Sequence, residues 1–264
     1  MPSRCDRDRV LYLGDGSRNG AASYLAAVLS RAGIPFDHVA SSEPLPEGAL
    51  DRGLGAVVLS DYPARNFAAH QIEALCGAVR DGLGLVAVGG WASFVGRDGG
   101  FDRTPLADLL PVRLGARDDR MNTWAPCVVE PGPAHPHEIT AGLPLDGDLP
   151  CVTGFNAFES RRAEDVVLRV RRYRASKVAG RAAFEPLEAH PLLVTGEAVG
   201  GRIACFASDV APHWVGSLVD WGAPRIAARA DGFNPVEVGC HYAALFERMV
   251  RWARGARAVP LTAL

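Results

Sequence analysis

The chain has 264 residues, 48% of them apolar and 22% charged, with a formal net charge of −2. That length buries a full core without disulfide or metal staples. The near-neutral charge and scattered arginines give no electrostatic case for nucleic acid or an anionic membrane surface.

Taken in chain order, the segment Met1–Arg9 is charged and lacks the apolar core of a signal peptide, which leads us to expect a cytoplasmic protein. Val10–Gly14 is a short apolar strand, followed by the polar turn Asp15–Gly20. A helix comes next, with Ala21, Leu25, Val28, Leu29 and Ala32 on one face, and Gly33 and Pro35 end it. Pro35–Val39 and Ala56–Ser60 are further strands, the second running into Asp61-Tyr62-Pro63. A helix with Ile72, Leu75, Cys76 and Val79 on one face leads to the strand Leu83–Val88. Strands without polar alternation are buried on both faces, so this order predicts a parallel, doubly wound α/β sheet.

The stretch from about 97 to 190 is rich in proline and glycine, with β-like pieces at Thr123–Val129, Val152–Phe158 and Val166–Tyr173. It reads as a β-rich elaboration of one domain spanning 1–264, placed on the carboxyl side of the sheet, where long loops commonly build a site. The run Arg169–Arg174 alternates as a solvated strand face would, with an anion site as the alternative reading. His135 and His137 flank Pro136 in a turn expected to precede a short helix. Pro191–Glu197 and Gly201–Asp209 form a hairpin turned at Gly200-Gly201. A last helix is predicted over 235–254, with Val238, Tyr242, Leu245, Phe246, Met249 and Trp252 inward and Glu247, Arg248 and Arg251 outward. No apolar run approaches the roughly 20 residues of a membrane span. The six cysteines, Cys5, Cys76, Cys127, Cys151, Cys205 and Cys240, contain no C-x-x-C pair, so zinc-ribbon and redox-motif readings fail and free thiols are expected.

The most informative stretch is Leu83–Phe94, a buried strand running into the turn Gly89-Gly90-Trp91-Ala92-Ser93. Such a turn lifts one side chain over the carboxyl edge of an α/β sheet. Further blocks are Gly96 and Gly99, Asp118-Asp119-Arg120, Ala141-Gly142-Leu143, Gly154-Phe155-Asn156, Pro191–Val194 and Ser208–Trp214. With these blocks in this order, the chain resembles the class I glutamine amidotransferase-like superfamily, and within it a branch named for fold and ancestry, not for demonstrated chemistry. The resemblance implies a flavodoxin-like three-layer sandwich with a mostly parallel sheet. It also implies a Gly-x-Cys-x-Gly elbow, whose Cys attacks an amide, whose His deprotonates it and whose backbone N–H groups hold the oxyanion. In this chain Trp91 falls on the Cys position and Ser93 on the last Gly. A Cys-dependent glutaminase is therefore disfavoured.

Candidate residues follow from the expected convergence of strand ends. His213 and Asp209, after the late strand, are candidate catalytic groups. His213 is either a general base or a packed loop histidine; Asp209 either orients it, binds a ligand hydroxyl, holds a metal or caps the following turn. Asp15, Ser17, Asp61, Gly90, Trp91, Ser93, Asn156 and Trp214 are candidate substrate-binding residues. Trp91, Trp214 and Trp221 would form a stacking floor or pack in the core. Ser93 is a displaced nucleophile or the cap of a helix starting there. Asn156 binds substrate or serves a turn. Asp118-Asp119 is an ion-paired loop anchor, or in a loop an ion chelator. No residue set defines a metal site, and Asp15–Gly20 matches no nucleotide motif, so no cofactor is assigned. The expected partner is a small molecule, with homo-oligomerisation left open. The leading expectation is Cys-independent hydrolase, lyase or isomerase chemistry on a polar substrate. A catalytically inactive binding or oligomerisation module and a genuine glutamine amidotransferase are the alternatives.

Overall fold

A computed structural model describes residues 8–51 and 53–255. Cys5 and the charged segment up to residue 7 lie outside the described residues. The first half follows the alternation expected: β1 (Arg9–Gly14), α1 (Ala22–Arg31), β2 (Phe36–Val39), β3 (Leu54–Ser60), α2 (Ala69–Arg80) and β4 (Gly84–Val88). Then come α3 (Leu106–Leu109), β5 (Val112–Arg113), β6 (Arg120–Pro131), β7 (Cys151–Asn156), β8 (Glu159–Ser160), β9 (Val166–Val178), β10 (Arg181–Ala198) and β11 (Gly201–Phe206). The chain closes with α4 (Pro212–Val215), β12 (Arg225–Ala228), β13 (Val236–Gly239) and α5 (Cys240–Ala253).

One nine-stranded sheet runs in the order β2-β1-β3-β4-β11-β10-β9-β6-β7. The first five strands are parallel, and β3 and β4 are buried along their whole length, as strands covered on both faces must be. The chain steps from β1 out to β2 and returns to β3 on the other side. Right-handed crossovers then put α1 and α2 on opposite faces. α5 packs beside α1 and lies against β4 and β11.

The expectation of a mostly parallel sheet is corrected: four of the eight pairings are antiparallel. The segment 97–190 is not simply laid over the carboxyl edge. Its strands widen the same sheet through β10, β9, β6 and β7. Antiparallel neighbours need only short turns, so the proline- and glycine-rich middle can meander where a parallel arrangement would need helical crossovers.

Three local expectations also change. Residues 236–239 form β13, paired with β12, and the last helix starts only at Cys240. Glu247 and Arg248 are buried, not outward, because the loop near Ala141 and the β12–β13 hairpin cover that side of α5. Glu247 pairs with Arg251 at 2.7 Å, and Arg248 donates to the Ala141 carbonyl. The segment after His137 forms turns instead of a short helix.

Candidate active site at the carboxyl edge

Strands β1, β3 and β4 all end in left-handed backbone. Gly14 has φ 128°, Asp15 57°, Asp61 54° and Gly90 149°. Such conformations cost energy in non-glycine residues and persist only where surrounding structure enforces them. At Gly14 the enforcement is close approach: a Cβ there would overlap the Ser60 carbonyl, which accepts the Asp15 N–H at 2.8 Å. This packing sets the carboxyls of Asp15 and Asp61 at adjacent strand ends, with Asp209 beyond β11 close enough to act on both electrostatically.

The elbow after β4 is clamped from two sides. Asp61 presents its carboxylate to the turn and accepts the Ala92 N–H in a short hydrogen bond. Gly90 must lack a side chain, because a Cβ would press on that same carboxylate. The Ser93 hydroxyl accepts the Asp61 N–H at 3.0 Å. No helix begins at Ser93. The chain runs on through consecutive turns to Gly99, so the helix-cap expectation is corrected to a pin between β3 and the elbow. On the other side, Asn156 accepts the Gly90 N–H at 2.9 Å and donates to Asp119 at 2.7 Å. Asp119 also accepts the Val95 N–H at 3.3 Å. Asn156 is wholly buried, so its amide holds the turn and is not offered to a ligand.

Trp91 stands at the tip with 40% of its surface exposed. The Arg120 guanidinium lies over its ring at 4.4 Å and is itself paired with Asp118 at 2.6 Å. A cation stacked on an exposed indole in this way is worth about 0.5–1 kcal/mol. The His213 ring, on α4, is 6.1 Å from the Trp91 ring. The stacking floor of three tryptophans is corrected to one. Trp214 is buried, donates its indole N–H to Asn122 at 2.8 Å and packs on Gly154. Trp221 is buried against His241. A sequence alone cannot separate a tryptophan at a loop tip from one turned inward one helical turn away.

Asp15 and Asp209 form a buried acid pair beside Asp61. Asp209 is buried; its carboxylate accepts the Val210 N–H at 2.6 Å and the Ala211 N–H at 3.3 Å, capping the turn into α4. Burial, followed by the charge of Asp61, pushes its pKa up to about 7, against the pull of those two N–H groups. Burial, then Asp209 and Asp61, raise Asp15 well above its ordinary value too, although the Tyr12 hydroxyl donates to it. Tyr12 and Tyr242 are buried beside these carboxyls and pushed upward by burial first, so both stay neutral donors. Burial raises Asp61 as well, opposed by the elbow N–H groups, His213 and Arg120. Sequence reading missed Tyr12, Tyr242 and Ser41. Ser41 accepts the Gly16 N–H at 3.0 Å and donates to the Asp61 carbonyl at 2.6 Å.

Ser17 is exposed and serves through its carbonyl, which accepts the Gly20 N–H at 3.0 Å. Among the described residues no group of three or more His, Cys, Asp and Glu is placed to hold a metal ion. Burial raises the thiols of Cys76, Cys127, Cys151 and Cys205, which disfavours the thiolate form. Cavities of about 660 Å³ beside β2, lined by Arg18, Phe36, His38 and Phe233, and about 600 Å³ beside Pro111 and Trp252 lie away from Asp61, Trp91, Asp209 and His213.

A parallel α/β half with an elbow at its carboxyl edge defines an amidotransferase-like class of protein. The chain belongs to the family described as "Putative glutamine amidotransferase", whose model matches residues 57–225. Solved structures share the fold. Cytoplasmic Protein STM1381 from Salmonella typhimurium LT2 is 22% identical with a TM-score of 0.70, covering 93% of this chain and 99% of its own. Cytoplasmic Protein STM3548 from Salmonella typhimurium is 24% identical with a TM-score of 0.69, covering 94% and 99%. A ThuA-like protein from Parabacteroides merdae is 15% identical with a TM-score of 0.55, covering 96% and 92%. No curated protein matches the chain. Among the described residues no helix is long and apolar enough to cross a membrane.

Proposed function

We propose that the carboxyl edge is a small-molecule site that moves protons through Asp209 and His213 around Trp91, without a thiol nucleophile. The observation that carries this reading is Asp209: a buried carboxyl brought to about 7 beside Asp61, which in turn holds the elbow that carries the exposed Trp91. An acid poised near neutrality can give or take a proton at little cost. Asp61, oriented by the elbow, is the charged partner, and His213 is the exposed group that exchanges protons with solvent. The platform of Trp91 under Arg120 suits a polar ligand with a flat or ring-shaped face, such as a sugar or an amide. Hydrolysis, elimination and isomerisation of such a substrate can each use a pair of proton carriers.

Two features weigh against a glutaminase. Aligned with the family elbow, the Cys position holds Trp91, which has no nucleophilic atom. The Ala92 N–H, which an oxyanion would need, already donates to the Asp61 carboxylate. The same filled turn favours a second reading, a binding module without catalysis. The strand order β2-β1-β3-β4-β11 supports a flavodoxin-like description of the parallel half, and we place the protein in the cytoplasm.

The test is a fluorescence titration of the wild type, Asp209→Asn and His213→Ala with monosaccharides, carboxamides and L-glutamine, alongside an assay of ammonia release. The expected result is saturable binding weakened at least tenfold in both variants, with no ammonia from glutamine. Glutamine hydrolysis abolished by thiol alkylation would overturn the proposal.

A further inference from the structure

Strands β9 and β10 run well past their neighbours. β6 pairs with β9 only over Leu168–Arg172, and β11 pairs with β10 only over Leu193–Ala198. The ribbon made of 173–178 and 181–187 is therefore bonded only to itself along its length. It leaves the sheet at the Leu193–Phe206 end, which is the carboxyl end of β11, and projects roughly 20 Å at a strand rise of about 3.3 Å per residue. A lone two-stranded ribbon in water is at best marginally stable. This one also exposes Phe184 (56%) and Val178 (61%), with Trp124 (81%) at its base.

We infer that the ribbon is a docking arm for a second copy of this chain, and that it closes the partner's carboxyl-edge site. Charge complementarity names the occupant. Residues 171–188 carry Arg171, Arg172, Arg174, Lys177 and Arg181 against only Glu185 and Glu188. The arm is thus basic in a chain of net charge −2, and the remainder is correspondingly acidic. Arg171 pairs with Glu130 of β6 at 2.7 Å, and Arg172 with Glu188 and Arg174 with Glu185 at 2.8 Å pair within the arm, which leaves Lys177 and Arg181 in surplus at the tip. The carboxyl edge presents Asp61 and Asp118, the latter paired with Arg120, and leaves Trp91 and His213 uncovered. An arm with surplus cations at its tip leaves this same edge and meets the equivalent edge in an isologous pair, where each copy gives and receives one arm. Charged side chains and Pro186 along the arm guard against uncontrolled strand addition and favour a defined two-fold contact.

The inference relies on the proposed site only for the arm's destination; the pairing itself rests on the ribbon. Lys177 is the only lysine in the chain. Carbodiimide treatment, which joins an amine to a nearby carboxylate, therefore interrogates the arm tip almost alone. Light scattering should give twice 28.0 kDa for the wild type, and cross-linked peptides should join Lys177 to Asp118 or Asp61 of another copy. Phe184→Asp with Val178→Asp should weaken the dimer at least tenfold with an unchanged circular dichroism spectrum. Lys177→Arg should remove the cross-link and keep the dimer. A monomeric wild type, a dimer unaffected by the double variant, or cross-links only to acids away from the carboxyl edge would each overturn the inference. Lost ligand binding in an intact, correctly cross-linked dimer would count against the proposed chemistry alone.

Discussion

Asp209 is the pivot of the proposed chemistry, and its environment predicts a pH dependence of stability. Its folded pKa of about 7 lies above the ordinary carboxylate value near 4. The unfolded chain therefore ionises it first, and stability falls as pH rises from about 4 to about 7. Asp15 shifts in the same direction. Urea melts should show the wild type losing stability against Asp209→Asn across that interval, with the two curves parallel at lower pH. A wild type that gains on the variant over the same range would contradict the assignment. A second residue-scale prediction concerns Asn156. Asn156→Ala leaves the Gly90 N–H and the Asp119 carboxylate without their buried partner, a loss of about 1–3 kcal/mol in urea unfolding. Placement at the carboxyl edge was legible in the sequence for Asp15, Asp61, Trp91 and Asp209, each within three residues of a strand's end. The tasks of Asn156 and Ser93 were not, because each depends on a contact 66 or 32 residues away in the chain. The left-handed backbone at Asp15 and Asp61 carries no compositional signal, since aspartate is ordinary in turns.

Among the elements, the parallel strands were legible because they are apolar without alternation. The antiparallel half was less so: β9 and β10 change from buried to exposed along their length, so no single period describes them. For α5 the apolar stripe identified the buried face, but nothing in it announced that a third layer covers the opposite side. Leu245, fully buried in that helix, should cost about 2–5 kcal/mol on replacement by Ala, measured by thermal or urea unfolding. The arm of β9 and β10 gives a separate expectation. Hydrogen exchange of 173–187 should be slowed in the wild type and fast in the Phe184→Asp, Val178→Asp variant, while β3 and β4 remain equally protected in both. Equal exchange of the arm in the two proteins would show that it has no partner.

On the scale of the whole molecule, one sheet has two jobs. Its parallel half crowds three strand ends until acids and an elbow share one edge. Its antiparallel half supplies Asn156, Asp119 and Arg120 to fix that elbow, and extends an arm past it. The turn after β4 carries the exposed Trp91 indole at its tip, and its Ala92 N–H is already engaged by the Asp61 carboxylate. The central claim is that ligand binding is centred on Trp91 and governed by Asp209. Nitrogen-edited NMR of the five tryptophan indoles, recorded at pH 6 and pH 8 during titration with the tightest-binding monosaccharide or carboxamide, tests it most directly. The Trp91 indole should move most, the apparent affinity it reports should differ between the two pH values, and Asp209→Asn should remove the difference. A Trp91 signal that stays still, or an identical pH response in the variant, would contradict it.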